Sequence, residues 1–557
     1  MKSKTIARVV LAASLSVATT VVPGCARTAP QAETPVEKTL ATPEPASQAS
    51  VAPRLVVLII LDQLGSWVLD EQLQLLPSDS AIRRAYEDGA AHRAEFPYAC
   101  TQTAPGHASL TSGVPPAVHG IVANAVYDAE LGSRRTVDDR EHAVLGNPNR
   151  FVSPTQMRAE TVADILQRES AGRARIVGIS IKGRSAVLPV GKKPDIAVFY
   201  DAVARSMTTS TYYAPDTSLP RWLRDFNKAN PVEPLLQAWE PSDPRRLEEE
   251  LGPDAAPGEM YPAFPHDPRE APDPWYAFAG TPEASEYLMA AAYAVVKAER
   301  MGMDEVPDLL ALGISGTDLV GHVWGPQSWE YADNLQRIDR ALTRFVQLLQ
   351  ARGPVAFVLT ADHGVAELPE RARAEGRPGG RLQGHVLTKA AEDAADAALG
   401  DGDWIAGYVA PLFTYTAEGK ARREELGKAL RKALPEVEGV EAVYETQNPA
   451  ALRASGKEIE RLIGATLPNE PPGDLYLVTE PGWFDGLSEL GGTNHGTPWD
   501  YDRRVPVLMW GTAIERRISA EPQNVLRVAT SLAALLGVPA PPGAPTQPLP
   551  GVMRLPD

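Results

Sequence analysis

Continuous apolar runs recur along the chain. The first covers Leu55 to Leu61, and four more follow at Arg175 to Ile181, Asp308 to Ile314, Val355 to Thr360 and Val505 to Trp510. Strands that face water on one side alternate apolar and polar residues instead. Continuous runs are typical of strands buried on both faces, as in a parallel sheet covered by helices.

Helical patterns lie between these runs, for example over Ala284 to Arg300 and Trp329 to Arg352. Strands that alternate with helices over this length predict an α/β fold, with one large, mostly parallel central sheet sandwiched between helices. Two segments interrupt the pattern, at about 200–280 and 386–480. The first is irregular and rich in Pro, Trp and Tyr. We expect both to be insertions, and the first to form a cap over the site.

The N-terminus has the pattern of an export signal. Basic residues precede an apolar run over residues 9–22, which is too short to span a membrane and predicts a secretory signal. Cys25 directly follows Gly24, which resembles a bacterial lipobox and implies cleavage before Cys25 and its lipidation. An ordinary secreted protein with a fortuitous cysteine is the alternative.

These features divide the chain into a signal peptide (1–24), a Pro- and Ala-rich flexible tether (25–53) and a catalytic domain (54–557). We therefore expect an exported protein, periplasmic or in the cell envelope, that is held at a membrane by a lipid anchor. If Cys25 is acylated, the other cysteine, Cys100, has no partner for an intramolecular disulfide.

Charge restricts the class of ligand. The formal net charge is -17, which argues against a nucleic-acid groove, where a basic stripe is expected. It does not exclude anionic substrates, because bound divalent cations can reverse the local field. With 557 residues, 44% of them hydrophobic, the chain is long and apolar enough for a large core.

Acidic residues follow three of the apolar runs. Asp62 ends the first run, Asp318 follows Ile314 by a short turn, and Asp362 with His363 closes the run from Val355. Ligands of open α/β sheets bind at the carboxyl ends of the strands. One such Asp could be a helix N-cap, but three at one sheet edge would repel each other without cations.

Two further histidines fit the same site. His322 follows Asp318 by four residues, so both side chains can lie on one helix face and bind one ion. His495 lies in a glycine-rich loop at 491–496. Zinc accepts a mixed set of Asp and His ligands, and thiolates are not required.

The segment 100–128 contains a candidate nucleophile. Pro105 suits the first turn of a helix, which places Thr103 at or near the helix N-terminus. The helix dipole and a bound cation would both lower the pKa of the Thr103 hydroxyl. Taken alone, a threonine before a helix is usually an N-cap.

In combination these motifs resemble the alkaline phosphatase superfamily, and more narrowly its branch of nucleotide pyrophosphatase/phosphodiesterases and Thr-nucleophile alkaline phosphatases. The matches run in family order from about residue 55 to 512. They are Asp62, Thr103 to His107, Asp318 to His322, Asp362 with His363, and Asn494 to Gly496.

The resemblance implies two Zn²⁺ sites and a two-metal in-line displacement. One site takes Asp318, His322 and His495. The other takes Asp62, Asp362, His363 and the Thr103 oxygen. Thr103 would attack phosphorus and form a phospho-threonine, which water then hydrolyses. His107 and His119 match family positions outside the ligand set, where we expect structural support.

The resemblance also distinguishes monoesters from diesters. Asn124 matches an asparagine that donates to a phosphoryl oxygen, and Lys182 with Arg184 resembles the cationic pair of the Thr-type monoesterases. We therefore predict an alkaline phosphatase, a hydrolase of small-molecule phosphate monoesters. Lys182 and Arg184 could instead be solvated loop charges.

Several alternatives stay in view. A phosphodiesterase or nucleotide pyrophosphatase of the same branch is the first, and a non-catalytic binding lipoprotein is the second. Sulfatases are disfavoured because the residues after Cys100 do not fit the formylglycine motif. Leaving-group contacts are expected from the segment at about 200–280, although Tyr212, Tyr213 and Trp222 are assigned to packing.

Overall fold

The computed structural model describes residues 51–261, 263–486, 491–519 and 521–553. The predicted signal peptide, the lipidation site Cys25 and nearly all of the predicted tether lie outside the described residues. In the described part of the chain, no helix combines the length and the apolar character needed to cross a membrane.

The described strands, in chain order, are β1 Leu55–Leu61, β2 Ala90–Glu95, β3 Ala125–Asp128, β4 Gly132–Arg135, β5 Ala143–Val144, β6 Asn147–Phe151, β7 Ile176–Ser180, β8 Ile196–Asp201, β9 Ser206–Thr208, β10 Asp308–Ile314, β11 Val355–Thr360, β12 Gly380–Leu382, β13 Ile405–Val409, β14 Leu412–Tyr415, β15 Val440–Glu445, β16 Leu475–Thr479, β17 Trp483–Asp485, β18 Arg504–Gly511, β19 Arg517–Ile518 and β20 Gln523–Asn524.

The described α-helices are α1 Ser66–Gln72, α2 Ala81–Asp88, α3 Thr103–Ser112, α4 Pro116–His119, α5 Val162–Glu169, α6 Gly183–Val187, α7 Arg221–Ala229, α8 Pro244–Leu251, α9 Pro274–Phe278, α10 Pro282–Ala298, α11 Gly316–Trp324, α12 Trp329–Gln350, α13 Pro369–Ala374, α14 Gly384–Leu399, α15 Ala417–Ala421, α16 Arg423–Ala433, α17 Pro449–Arg453, α18 Glu458–Thr466, α19 Asp500–Arg503 and α20 Arg527–Leu536. Single 3₁₀ turns cover Leu73–Leu75, Glu233–Leu235, Pro268–Glu270 and Leu434–Glu436.

The central sheet runs in the order β19-β2-β18-β11-β1-β10-β7-β8-β9, with β20 beside β2. Its middle strands, β11, β1, β10, β7 and β8, are parallel. All five predicted strands lie in this sheet, so the predicted α/β fold is confirmed. β18 is antiparallel to β11 and β2, a direction that its composition could not reveal, because both of its faces are covered.

The register of the sheet brings the acidic positions together. Leu61 at the end of β1 pairs with Ile314 at the end of β10, and Ile60 pairs with Thr360 at the end of β11. All seven residues of β1 are buried. The three parallel strands therefore end at one level, and the residues that follow them emerge at the same edge of the sheet.

The two interrupting segments differ in structure. Residues 200–280 hold the end of β8, β9 and the short helices α7, α8 and α9, and they pack against α10 to α12. Trp239 is buried there and donates from its ring nitrogen to Asp333 Oδ2 at 2.8 Å. Residues 386–480 form a four-stranded sheet, β13-β14-β16-β15, which has an apolar core of its own with α14 and α16.

Candidate active site

Three buried carboxylates meet at the carboxyl edge of the central sheet. Asp62 follows β1, Asp362 follows β11, and Asp318 lies in the first turn of α11, just after β10. Each is at most 2% exposed. The aligned strand ends explain this placement, and we call these three residues the catalytic cluster.

Three histidines point their Nε2 atoms at the catalytic cluster. His363 Nε2 is 3.4 Å from oxygens of both Asp62 and Asp362. His322 Nε2 and His495 Nε2 are 3.1 Å and 3.4 Å from Asp318 Oδ1. The predicted Asp and His residues therefore lie at one site.

The other ring nitrogen of each histidine is held by the backbone. His363 Nδ1 contacts the Gly364 carbonyl at 2.9 Å, His322 Nδ1 contacts that of Thr493 at 2.9 Å, and His495 Nδ1 contacts that of Thr101 at 2.7 Å. A carbonyl can only accept, so Nδ1 donates and Nε2 keeps its lone pair when the ring is neutral. Metal-binding histidines are commonly oriented in this way.

Thr103 is the first residue of α3, and its hydroxyl reaches the same site. Thr103 Oγ1 is 3.4 Å from His363 Nε2 and is fully buried. Gly106 lets α3 approach this closely, because a Cβ there would overlap the carbonyl of Asp362. The sequence-based position of Thr103 at the helix start is thus observed.

Asn124 completes the start of α3. Its Oδ1 accepts from the backbone N–H of Ala104 at 2.8 Å, and its own N–H donates to Gln102 Oε1 at 2.7 Å. The Asn124 side chain therefore satisfies one of the free N–H groups of the first helical turn. This contact holds the amide beside Thr103.

Arg184 and Lys182 bring positive charge from the start of α6. Arg184 donates from Nη2 to Thr103 Oγ1 at 3.2 Å. Lys182 Nζ is 2.6 Å from Asp62 Oδ2 and also donates to Asp318. Neither residue is a solvated loop charge. Lys182 binds two carboxylates of the catalytic cluster.

The charges at the site shift one another's pKa values. Burial raises the pKa of the Asp318 carboxyl, but His322 and Lys182 outweigh this effect and hold the pKa well below its ordinary value. Burial lowers the pKa of the His363 imidazole, but Asp362 and Asp62 outweigh burial and raise it to about 9. Burial and the Asp62 charge both raise the pKa of Asp362.

Gln63 is a site residue that the sequence did not suggest. Its backbone N–H donates to Asp362 Oδ1 at 3.2 Å, and its Nε2 donates to Asp318 Oδ1 at 3.1 Å. It is fully buried, with a left-handed backbone at φ 71°. Its position directly after Asp62 was the available signal, but an amide after a strand has no distinctive pattern.

Residues 56–498 match the model of the family described as type I phosphodiesterase / nucleotide pyrophosphatase. The chain belongs to this family.

Relatives within the type I phosphodiesterase / nucleotide pyrophosphatase family include alkaline phosphatase PhoV of Synechococcus elongatus, which is 29% identical over 89% of this chain and 92% of its own. The crystal structure of wild-type alkaline phosphatase PafA superposes with a TM-score of 0.83 at 26% identity, covering 91% of this chain and 100% of PafA. A structure of a PafA variant gives a TM-score of 0.82 at 25% identity over the same shares. This chain is an alkaline phosphatase-like hydrolase.

A cavity of about 400 Å³ opens at the site of this family member. Arg184, Asn124 and His495 line it together with Tyr408 and Pro411. Among the described lining residues, Tyr408 to Pro411, Leu477 and Thr479 belong to segment 386–480, and none belongs to 200–280. Residues 200–280 pack on the helices beside the sheet, and their role as a cap over the site stays a prediction.

The donor set of the catalytic cluster fits metal ions. Asp318, His363 and His495 each offer one ligand atom within 4.8 Å of the others, and so do Asp62, Asp362 and His363. Asp62 Oδ1 and Asp362 Oδ2 are buried without a hydrogen-bond partner. Cations would satisfy these oxygens and offset three adjacent negative charges. His363 contributes to both groups.

Proposed function

We propose that this chain is a zinc-dependent phosphate monoesterase that acts through a covalent phospho-threonine at Thr103. The observation that carries the proposal is the Arg184 guanidinium, which donates to Thr103 Oγ1 at 3.2 Å beside the catalytic cluster. A monoester carries one more anionic oxygen than a diester, and fixed cations beside the nucleophile suit that extra charge.

Zinc ions are proposed at two positions, held by Asp318, His322 and His495 and by Asp62, Asp362, His363 and Thr103. Bound zinc would supply a Lewis acid that lowers the pKa of a hydroxyl group and offsets negative charge on phosphate. The mixed carboxylate and imidazole donors, with Nε2 atoms oriented by backbone carbonyls, support this choice of metal.

Each of these protein residues would have its own role in the reaction. The Thr103 oxygen forms a bond to phosphorus while the bond to the ester oxygen breaks, and the alcohol leaves. Water then attacks the phospho-threonine, which releases phosphate and restores the Thr103 hydroxyl. Arg184 and Asn124 hold phosphoryl oxygens, and the N-terminus of α3 favours the developing negative charge. Lys182 would assist from its position between Asp62 and Asp318.

The PafA variant supports these residue choices. It carries substitutions of one threonine, one asparagine, one lysine and one arginine. The threonine and asparagine are 21 positions apart in PafA, as are Thr103 and Asn124 here. The lysine and arginine are 2 positions apart, as are Lys182 and Arg184.

The test compares zinc-loaded wild type, Thr103→Ala and Arg184→Ala on an aryl phosphate monoester and the matching methyl aryl diester. Thr103→Ala should abolish turnover and the phospho-adduct that mass spectrometry detects after acid quenching. Arg184→Ala should lower kcat/KM by on the order of 10²–10³ for the monoester and by less for the diester. Arg168→Ala, which changes an exposed arginine on α5, is the matched control.

Three outcomes would contradict the proposal. Equal losses on both substrates in Arg184→Ala would remove the monoester assignment. A wild-type preference for the diester would favour a phosphodiesterase, the first activity in the family's description. Full activity in Thr103→Ala would exclude the covalent mechanism.

A further inference from the structure

A second group of three carboxylates lies outside the catalytic site, and we call it the insertion cluster. Asp254 and Glu259 lie in segment 200–280, and Glu330 lies in the first turn of α12. One carboxylate oxygen from each lies within 4.8 Å of the others. The proposed hydrolysis of phosphate esters does not use this group.

The insertion cluster is buried with little compensating charge. Glu330 is 0% exposed and Glu259 is 9% exposed. Among the described residues, the ion pair to this cluster comes from His266, whose Nε2 is 2.7 Å from Glu330 Oε1. Three adjacent carboxylates are costly to bury unless cations or protons neutralise them.

One oxygen of the insertion cluster has no hydrogen-bond partner among the described residues. This atom is Glu330 Oε2, which is buried, whereas Oε1 receives a hydrogen bond from His266. Elsewhere in the cluster, backbone N–H groups serve the carboxylates. Glu259 Oε2 accepts from Ala256 at 3.0 Å, and Asp254 Oδ2 accepts from Phe264 at 3.0 Å. The fully buried Glu330 thus presents an unused acceptor to two other acidic groups.

We infer that the insertion cluster binds a hard divalent cation, Ca²⁺, at a site separate from the catalytic cluster. Calcium takes six to eight oxygen ligands from carboxylates, carbonyls and water. Asp254 is partly exposed, which leaves access for the ion and its water ligands. The nearby imidazole, His266, is directed at Glu330 through Nε2 and lies against Phe264 and Trp324, so its Nε2 offers no lone pair for zinc.

The position of the insertion cluster gives the cation a structural role. Met260 N–H donates to the Val323 carbonyl at 3.1 Å, at the end of α11. Gly492 N–H donates to the Gly258 carbonyl at 2.7 Å, in the loop that leads to His495. An ion held by Glu259 would therefore fix the segment that bridges α11 and the His495 loop, the two elements that carry Asp318, His322 and His495.

The experiment uses the zinc-loaded full chain, dialysed against calcium-free buffer, with zinc content checked before and after. Thermal unfolding is followed as Ca²⁺ is added to millimolar concentration, the weak end of the range for calcium sites. Terbium luminescence excited through tryptophan gives a second readout, because Trp324 lies against His266 beside the cluster. Both are measured on wild type, Glu259→Gln and Glu330→Gln.

Calcium should raise Tm of the wild type by a few degrees, since a ligand that binds the folded state stabilises it by mass action. Terbium should give sensitised emission that calcium displaces. Both effects should be lost in Glu259→Gln and in Glu330→Gln, and both should persist in Glu270→Gln, an exposed glutamate of the same segment.

Three results would overturn the inference. The first is a wild type whose Tm does not respond to calcium. The second is a calcium response that persists in both cluster variants, which would place the ion elsewhere. The third is sensitised terbium emission that calcium does not displace, which would show that the two ions bind at different sites. If Glu330→Gln does not fold, the more exposed Glu259→Gln still decides the outcome.

Discussion

The catalytic cluster and the insertion cluster each combine three carboxylates, and they differ in the partners that surround them. The catalytic carboxylates face Lys182 and three histidine Nε2 atoms. The insertion carboxylates face backbone N–H groups and His266. Nitrogen donors favour zinc, whereas an oxygen-only set favours calcium. Both clusters carry three adjacent carboxylates, and the neighbouring side chains favour a different cation at each of them.

The clusters also differ in how they are built. Asp62 and Asp362 lie within two residues of the ends of paired, buried strands of the central sheet, so the register brings them together. Asp254 and Glu259 lie on an irregular segment that reaches its partner through tertiary packing alone. A rigid frame suits chemistry, which needs precise placement of the reacting groups, and a loop can close around an ion.

The largest expected effect separates the two clusters by activity. Asp362→Asn removes a proposed zinc ligand, and kcat/KM should fall by more than about 10²-fold, since loss of outer-sphere partners alone costs ~10- to 100-fold. Glu330→Gln makes the same chemical change of carboxylate to amide in the insertion cluster. It should lower kcat by less than about 3-fold, because the side-chain partner of Glu330 is His266 and not a residue of the catalytic cluster.

Steady-state kinetics on zinc-loaded protein with an aryl monoester measures both variants. Comparable losses in Asp362→Asn and Glu330→Gln would show that the clusters act as one unit. No loss in Asp362→Asn would remove that residue from the proposed ligand set.

An effect of intermediate size tests the hydrogen bond that the Gln63 side-chain amide donates to the catalytic cluster. Gln63→Met keeps the length of the side chain but removes the 3.1 Å donor to Asp318. Zinc affinity should fall by ~10- to 100-fold, as when other outer-sphere partners are removed. Competition with a chromophoric chelator measures the zinc affinity. The value of kcat at saturating zinc should change by a smaller factor than this affinity.

Gln72→Met is the matched control for Gln63→Met. Gln72 is also buried, and its Nε2 donates at 3.0 Å to the Pro326 carbonyl, away from the catalytic carboxylates. Equal zinc affinities of wild type and Gln63→Met, or equal losses in both variants, would contradict a specific role for the Gln63 amide.

The catalytic cluster could be predicted from the sequence because its signals are local. Strand runs that end in Asp62 and Asp362, and the four-residue spacing of Asp318 and His322, are visible without tertiary information. The predicted end of a helix also lies close to the observed one, because α12 ends at Gln350 and the sequence pattern predicts Arg352.

The insertion cluster could not be predicted in the same way. Asp254 and Glu259 are separated from Glu330 by more than 70 positions, and neither follows a strand or a recognisable motif. Composition marks segment 200–280 as irregular, but contacts such as the hydrogen bond from Trp239 to Asp333 decide where that segment lies, and no periodic pattern encodes such a contact.

The smallest expected effect tests whether burial keeps a histidine neutral. His119 is as buried as His363, yet burial lowers its pKa to about 3, whereas the pKa of His363 is about 9. His119 Nδ1 accepts from Ile121 N–H at 3.1 Å, so its Nε2 carries the proton and donates to Ser109 Oγ at 2.9 Å. Protonation would break the first of these bonds.

The pKa of His119 in the folded state lies below the unfolded value of 6.5, so His119 costs no stability above pH 6.5 and costs stability as the pH falls from there towards 3. Because of this difference between the folded and unfolded pKa, a change from pH 7.5 to pH 5.5 should lower the free energy of unfolding of the wild type by about 1.4 kcal/mol. Urea unfolding of wild type and His119→Asn at both pH values measures it, because the variant keeps every other titrating group. An equal decrease in both proteins would show that His119 is not the group responsible.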